Sequence, residues 1–243
     1  MPTPSALAPL APDTIERLSR ISTPSLCTEL FRLGFRSVFL EGVRPVAAGC
    51  RMAGPARTVR FVPAREDVAT YEALGDPAYP QRHAIEHVAP GEVLVMDCRG
   101  VAGAAGAGDI LIARLRARGA AGLALDGGIR DWESAKASGL PVYALGPAAP
   151  AHVSRLFAVD ENVPIGCAGV LVMPGDIVVG DGEGVVCVPR TAADTVAQRG
   201  SEREALEAFI LDKVRAGASL PGTYPPGPEL LAEYEEHRRR RAR

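Results

Sequence analysis

Lysine is scarce in this chain. Two of its 27 basic residues are lysines, Lys136 and Lys213, and the other 25 are arginines. An enzyme that forms a Schiff base needs a lysine whose amine is held in a desolvated site with a lowered pKa. Lys136 falls in a polar predicted helix and Lys213 near the end of the chain, so neither is a good candidate for that chemistry.

Cysteines are few and scattered, and no Cys-x-x-Cys pair occurs among Cys27, Cys50, Cys98, Cys167 and Cys187. This pattern indicates reduced thiols in a cytoplasmic protein and disfavours a zinc site built on sulfur. The sequence also lacks a signal-peptide pattern and a run of about 18 apolar residues, which a membrane-spanning helix requires. Because the net charge is only −2, we expect neither nucleic acid nor a membrane surface as a partner.

The length of 243 residues suits one large domain with an appended segment. We expect a disordered lead over 1–12, a main domain over 13–216, and a Pro-rich linker with a C-terminal helical arm over 217–243. An apolar stripe on that arm consists of Leu230, Leu231 and Tyr234. Because a Pro-rich linker is stiff, we expect the arm to reach a neighbouring subunit rather than fold back.

The fold class predicted from hydrophobic periodicity is α/β. The segment 13–33 is helical in pattern, with Thr23 as a helix cap and Pro24 at the first helical position. Short apolar strands alternate with helices of about ten residues between 90 and 145, which predicts a central βαβαβ unit with parallel strands. The Val-rich segment 162–189 leaves no room for a helix and predicts a β meander or a separate strand layer. A helix from about Thr191 to Ala216 follows.

Two motifs suggest sites that we do not favour. The pattern "HAIEH" places His83 and His87 one helical turn apart, as in some zinc sites, but a third ligand is missing and an exposed helix face explains it better. The stretch "GAAGAGD" followed by "LALD" imitates a dinucleotide-binding fold, with Asp126 in the place of a ribose-binding acid. Its glycines have the wrong spacing, however, and Asp109 at the helix N-terminus would repel a pyrophosphate.

The stretch "LALDGGIRDWE" carries a cluster of charged residues after a predicted strand. One interpretation is structural: Asp131 caps or charges the first turn of a helix, and Asp126 holds the turn amides beside Gly127 and Gly128. A second acid, Asp109, begins the helix after the preceding strand. Neighbouring parallel strands deliver their C-terminal ends to one edge of a sheet. Asp109, Arg130 and Asp131 should therefore converge into a site for a hard cation and a small anionic acid.

The ordered segments "GDILIARLRARGAAGLALDGGIRD", "GLPVYA" and "NVPIGCAGVLVMPGDIVVGDGEGVVCVP", with a weaker "AGPARTV", resemble the RraA-like family. That family includes divalent-metal pyruvate aldolases acting on 4-hydroxy-4-methyl-2-oxoglutarate, and regulators that bind ribonuclease E. The resemblance implies a layered β/β/α sandwich of the swivelling-domain type that assembles as a homotrimer or hexamer.

The resemblance also implies roles for individual positions. Gly108, Asp109, Ile110 and Leu111 match the loop that holds the substrate, largely through backbone amides, and Arg130 matches the substrate-binding arginine. Asp131 matches the aspartate that binds Mg²⁺ or Mn²⁺, with waters completing the shell.

The implied activity is metal-assisted cleavage of a 4-hydroxy-2-oxo acid to pyruvate, with oxaloacetate decarboxylation as a second reaction. The catalytic residues expected are Asp109, which would orient the water that acts as base, Arg130 and Asp131. The alternatives are a non-catalytic ribonuclease E-binding regulator and, less favoured, a nucleotide-binding or methyl-donor-binding enzyme.

Two positions depart from the aldolase pattern. Ser134 stands where aldolase relatives often carry an acid. The carboxylate that some aldolases donate from the adjacent subunit has no sure match, and Glu204 and Glu207 are the candidates.

Overall fold

A computed structural model describes residues 9–241, so the predicted lead at 1–12 lies largely outside the described residues. The helices within this range are α1 (Thr14–Arg20), α2 (Thr23–Arg32), α3 (Pro80–His87), α4 (Asp109–Ala117), α5 (Trp132–Ala137), α6 (Ala193–Arg215) and α7 (Pro228–Arg241). The strands are β1 (Arg44–Pro45), β2 (Met52–Pro63), β3 (Val93–Asp97), β4 (Ala105–Ala107), β5 (Gly122–Leu125), β6 (Gly128–Ile129), β7 (Val142–Ala144), β8 (Gly146–Pro147), β9 (Leu156–Glu161), β10 (Ile165–Cys167), β11 (Val170–Val172), β12 (Ile177–Gly180) and β13 (Val185–Val188).

The main sheet has the strand order β1-β7-β5-β3-β2-β12-β13, and β9 also pairs with β2. Strands β2, β3, β5 and β7 run parallel to one another, with Leu94 opposite Leu123 and Leu123 opposite Val142. The predicted βαβαβ unit is therefore confirmed. The long strand β2 pairs antiparallel with β12 near its start and with β9 near its end, and the sheet curls along it.

Both faces of the main sheet are covered, as the predicted layers require. Successive residues of a strand point to opposite faces, and Leu94 of β3 packs in one core with Ile112 of α4. Its neighbours Val93 and Val95 belong to a separate core that includes the β10–β11 hairpin. Helices, central sheet and hairpin form the layers of the β/β/α arrangement. Within residues 9–241 no helix is both long and apolar enough to cross a membrane.

A second, small sheet escaped sequence-based prediction. Strands β4, β6 and β8 pair in parallel in that order. They follow β3, β5 and β7 along the chain, so each strand of the βαβαβ unit is succeeded by one short extra strand. This small sheet carries the loops on which the candidate site is built.

The predicted cap of α2 is wrong by one residue. Ser22 is the N-cap, and its Oγ accepts a hydrogen bond from the Ser25 N–H at 3.4 Å. Thr23 instead donates its N–H and its Oγ1–H to the carboxylate of Asp181, each at 2.8 Å. Asp181 is buried, and a buried carboxylate needs such donors, so a partner distant in sequence decides the local geometry.

The C-terminal arm folds back on its own chain. The Tyr234 residue of α7 is 8% exposed, and its ring centroid lies 5.4 Å from that of Phe209 in α6. Backbone turns in the linker, such as the hydrogen bond from Gly227 N–H to Gly222 O at 2.8 Å, reverse the chain. The expectation that a stiff linker prevents folding back is therefore wrong. Leu231 on the same helix stays exposed.

Candidate active site

The small sheet brings two segments of the site together. In the pairing of β4 with β6, Ala107 lies opposite Ile129, and the Arg130 N–H donates to Ala107 O at 3.1 Å. The residue that follows β4, Gly108, is therefore a neighbour of Arg130. The convergence predicted from the strand ends occurs at this smaller sheet.

Gly108 is in close contact with the charged residues. A Cβ atom at Gly108 would lie 2.7 Å from Cγ of Arg130 and 2.8 Å from Oδ2 of Asp131. The Nε of Arg130 lies 3.3 Å from the same Asp131 oxygen. Glycine is therefore the residue that fits at position 108 without displacing either side chain.

Asp131 has an unusual backbone conformation. Its φ of 57° and ψ of 47° are left-handed, a conformation that costs about 1–2 kcal/mol for a residue with a Cβ atom. Asp131 occupies the N-cap position of α5, but its side chain makes no capping hydrogen bond. Its carboxylate lies against Gly108 instead. Backbone strain of this kind is often found where a side chain must be held for function.

Asp109 and the first turn of α4 form the other edge of the site. The Oδ1 atom of Asp109 accepts a hydrogen bond from the Ile110 N–H at 2.7 Å. Ile110 is 78% exposed, although it belongs to a helix whose Ile112 and Leu115 are buried. The carboxylate of Asp109 thus accepts a hydrogen bond from one of the N–H groups that a helix N-terminus leaves free to bind an anion.

These segments line one cavity of about 460 Å³. The backbone of 105–109 forms one wall, and the side chains of Ile110, Leu111, Arg130 and Asp131 contribute to the lining. All six predicted site residues therefore meet around a single cavity, whose size is in the range of small-molecule sites.

Two further lining residues, Arg82 and His152, were not anticipated from the sequence. His152 Nε2 lies 2.9 Å from the Tyr79 hydroxyl, whose oxygen accepts the Ala158 N–H at 3.0 Å. Burial, and secondarily the charge of Arg82, lowers the pKa of His152 to about 4. The ring is therefore uncharged at neutral pH.

Asp126 is a structural acid, but its partners differ from those predicted. Its Oδ1 accepts the Cys98 N–H at 2.5 Å, and its Oδ2 accepts the N–H groups of Gly100 and Ala168, each at 3.0 Å. The prediction that it binds the amides beside Gly127 and Gly128 is wrong, because the chain turns its carboxylate towards the loop after β3. Burial raises the pKa of Asp126. Because Asp126 is only 3% exposed, its carboxylate is not accessible to a ribose.

The histidine pair of "HAIEH" lies outside this cavity. His83 Nδ1 contacts Glu161 Oε1, and the rings of His83 and His87 stack with centroids 3.9 Å apart. Within residues 9–241 no group of three or more His, Cys, Asp or Glu side chains is arranged to hold a metal ion. His83 and His87 therefore contact Glu161 and each other on α3.

The lysines and the candidate C-terminal acids are also engaged elsewhere. Lys136 pairs with Glu133 at 2.8 Å on the exposed side of α5, and Lys213 pairs with Glu233. Glu204 accepts the N–H and Oγ–H of Ser22 at 3.0 and 2.6 Å. Glu207 pairs with Arg203 at 2.8 Å, so within one chain neither acid reaches the cavity.

The chain belongs to the RraA-like family. The family model described as RraA-like, Aldolase/RraA, matches residues 23–187. A Halalkalibacterium halodurans protein, provisionally named a 4-hydroxy-4-methyl-2-oxoglutarate aldolase, is 33% identical over 178 residues, which are 72% of this chain and 79% of that protein.

Solved structures of similar proteins agree with this assignment. The chain is 34% identical to Streptomyces coelicolor RraAS2, described as an unusual member of the RNase ES inhibitor RraA family, with a TM-score of 0.74 over 83% of this chain and 97% of that one. A Pseudomonas syringae protein of undescribed activity is 26% identical, with a TM-score of 0.77 over 89% of this chain and 99% of that one. The family thus includes both aldolases and RraA regulators.

Proposed function

We propose that this protein is a divalent-metal-dependent lyase that cleaves a carbon–carbon bond of a 2-oxo acid and releases pyruvate. The substrate would be a 4-hydroxy-2-oxo acid of the 4-hydroxy-4-methyl-2-oxoglutarate type, and oxaloacetate would be a second substrate. The contact of Arg130 and Asp131 with Gly108 at one cavity is the observation that carries this proposal. The name of the Halalkalibacterium halodurans relative supports the same reaction class.

The residues of the cavity suit a hydrated Mg²⁺ or Mn²⁺ ion held by Asp131. The Asp131 side chain is 37% exposed and makes no capping bond to α5, so its carboxylate has capacity for a cation. A single protein carboxylate with waters is a coordination that Mg²⁺ tolerates, whereas zinc takes three or four protein ligands. When bound, the ion would supply electrophilic stabilisation to the enolate of pyruvate.

The protein groups divide the remaining tasks. The Arg130 guanidinium would pair with the oxygens at the 2-oxo end of the substrate and stabilise charge that develops there. The first-turn amides of α4, at Ile110 and Leu111, would bind the C1 carboxylate, and Asp109 would release the Ile110 amide as the substrate enters. Asp109 would then orient the water that takes the proton of the C4 hydroxyl. The C3–C4 bond breaks, its electron pair forms the enolate, and a proton returned to C3 gives pyruvate.

Glu204, Glu207 and the helix α7 suggest how copies of the chain could assemble. We propose that the chain forms a homotrimer or a hexamer of paired trimers, in which Glu204 or Glu207 of a neighbouring copy can approach the cavity. Leu231, which is 41% exposed on α7, supplies apolar surface for such a contact. Light scattering at micromolar concentration measures the mass directly, and a monomer would refute this assembly.

A regulator that binds ribonuclease E without catalysis is the second candidate function, because the chain is 34% identical to Streptomyces coelicolor RraAS2, which is described as an unusual member of the RNase ES inhibitor RraA family. The two functions make different demands on the cavity. A lyase needs Arg130 and Asp131, whereas inhibition through an outer surface does not. Inhibition of a ribonuclease that survives in an Arg130→Ala variant would favour the regulator.

The test of the lyase is a screen of 2-oxo acids for pyruvate release with and without Mg²⁺ or Mn²⁺. We expect release to require the metal and to be abolished by EDTA. Treatment with borohydride during turnover provides the control for Schiff-base chemistry. Covalent trapping of substrate on Lys136 or Lys213 would refute the metal route, and so would full activity in EDTA.

A further inference from the structure

Arg82 is a half-buried cation that lines the candidate cavity without an acidic partner. It lies near the start of α3 and is only partly exposed. Among residues 9–241 it makes no ion pair or hydrogen bond through its guanidinium. Arg130, the other arginine of the cavity, is paired with Asp131 at 3.3 Å. The cavity therefore holds one more positive group than its own contacts use.

The surroundings of Arg82 make an anionic partner favourable. Burial lowers the pKa of Arg82, against a smaller opposing effect of Tyr79. A desolvated charge without a partner is costly, and a carboxylate that accepts two parallel N–H bonds from a guanidinium relieves that cost. His152, which also lines the cavity, is uncharged at neutral pH because burial lowers its pKa to about 4. It therefore adds no second positive charge beside Arg82, and it is not an acceptor that could neutralise one.

We propose that Arg82 binds the second carboxylate of a dicarboxylic 2-oxo acid and so selects such acids over monocarboxylic ones. The cavity of about 460 Å³ has room for a chain of five or six carbons. This inference rests on the proposed function for the placement of the 2-oxo end at Arg130 and Asp131. It adds a specificity-determining residue at the other end of the ligand.

A matched pair of non-cleavable ligands tests this role. 2-Oxoglutarate and 2-oxopentanoate have the same chain length and 2-oxo acid group, but only the former has a terminal carboxylate, and neither has a C4 hydroxyl. Calorimetric titration in the presence of Mg²⁺ would compare both ligands on wild type, Arg82→Met and Arg82→Lys. Arg114→Met is the control, because Arg114 of α4 contacts Glu86 of α3, the helix that carries Arg82, at 2.6 Å but does not line the cavity.

We expect wild type to bind 2-oxoglutarate about 10- to 100-fold more tightly than 2-oxopentanoate, as one charge-assisted pair allows. Arg82→Met should lose this preference while keeping its affinity for 2-oxopentanoate, which shows that the rest of the cavity is intact. Arg82→Lys should keep part of the preference, because it retains the charge but not the planar fork. Arg114→Met should resemble wild type.

The inference fails if wild type shows no preference, or if Arg82→Met keeps it. These results are separable from failure of the proposed function, which is judged by metal-dependent pyruvate release from wild type. Pyruvate release together with an unchanged preference in Arg82→Met would refute only the role of Arg82. An Arg82-dependent preference in a protein that releases no pyruvate would refute only the lyase.

Discussion

Gly108 and Asp131 are in contact across the end of the small sheet: a Cβ atom on Gly108 would come within 2.8 Å of the Asp131 carboxylate oxygen. The two residues are separated in sequence by one helix and two strands, and the pairing of β4 with β6 brings them together. The position of the Asp131 carboxylate is therefore set by the size of the residue at 108.

Gly108→Ala should reduce activity far more than stability. The added methyl group must displace Arg130, whose Cγ would lie 2.7 Å away, as well as Asp131. Misplacement of such groups by about 1 Å can cost about 100-fold in rate. Steady-state kinetics and thermal unfolding of the variant would measure both effects. Gly166→Ala is the control, since a Cβ there meets nothing within 4 Å, and equal losses of activity in both variants would contradict the prediction.

At position 131, the side chain needed for activity should lower the stability of the fold. Glycine adopts the left-handed conformation at φ 57° without strain. We therefore expect the free energy of unfolding of Asp131→Gly to be about 1 kcal/mol higher than that of Asp131→Ala. Both variants should be inactive, because both lack the carboxylate. Urea unfolding of the two proteins would provide the comparison, and an alanine variant at least as stable as the glycine variant would show that no strain is stored here.

His152 should make the folded state less stable in mild acid. Its pKa is lowered from 6.5 to about 4 by burial, so the unfolded chain takes up a proton that the folded chain does not. Stability attributable to His152 is complete above pH 6.5 and is lost as the pH falls towards 4. Between pH 7 and pH 5 this loss amounts to about 2 kcal/mol.

The measurement for His152 is urea unfolding of wild type and His152→Gln at pH 7 and pH 5. Between pH 7 and pH 5, the free energy of unfolding of His152→Gln should fall by about 2 kcal/mol less than that of wild type. Using the difference between the proteins removes the contribution of other titrating groups, such as the buried Asp126 and Asp176. An identical loss in both proteins would mean that the His152 ring is accessible to protons in the folded state.

The parts of the fold that sequence reasoning predicted are those with a side-chain signature. Strands such as β3 and β5 are runs of buried aliphatic residues, and the helices between them have an apolar face. Parallel pairing of these strands was enough to predict that Asp109, Arg130 and Asp131 meet. The resemblance to the RraA-like family added their individual roles.

The features that were missed depend on backbone or on distant partners. Strand β4 is Ala-Gly-Ala and β6 is Gly-Ile, so neither has the alternating pattern that marks a strand. The Thr23 side chain is drawn to Asp181, which lies 158 positions away. Arg82 and His152 reach the cavity from segments on either side of the βαβαβ unit. The chain has 25 arginines, and nothing in the sequence around Arg82 indicates that this one lines a cavity.

The most direct test of the central claim compares the rate of pyruvate release from oxaloacetate in Arg130→Ala and Asp126→Asn. Arg130→Ala should lower the rate by about 10²–10³-fold, because it removes a group that stabilises developing charge. Asp126→Asn should keep most of the rate, although it should lower the free energy of unfolding by about 1–3 kcal/mol, because the amide group disturbs the hydrogen bonds that the buried carboxylate accepts from three backbone N–H groups. Circular dichroism would establish that both variants are folded at the assay temperature. An inactive Asp126→Asn beside an active Arg130→Ala would contradict the proposed site.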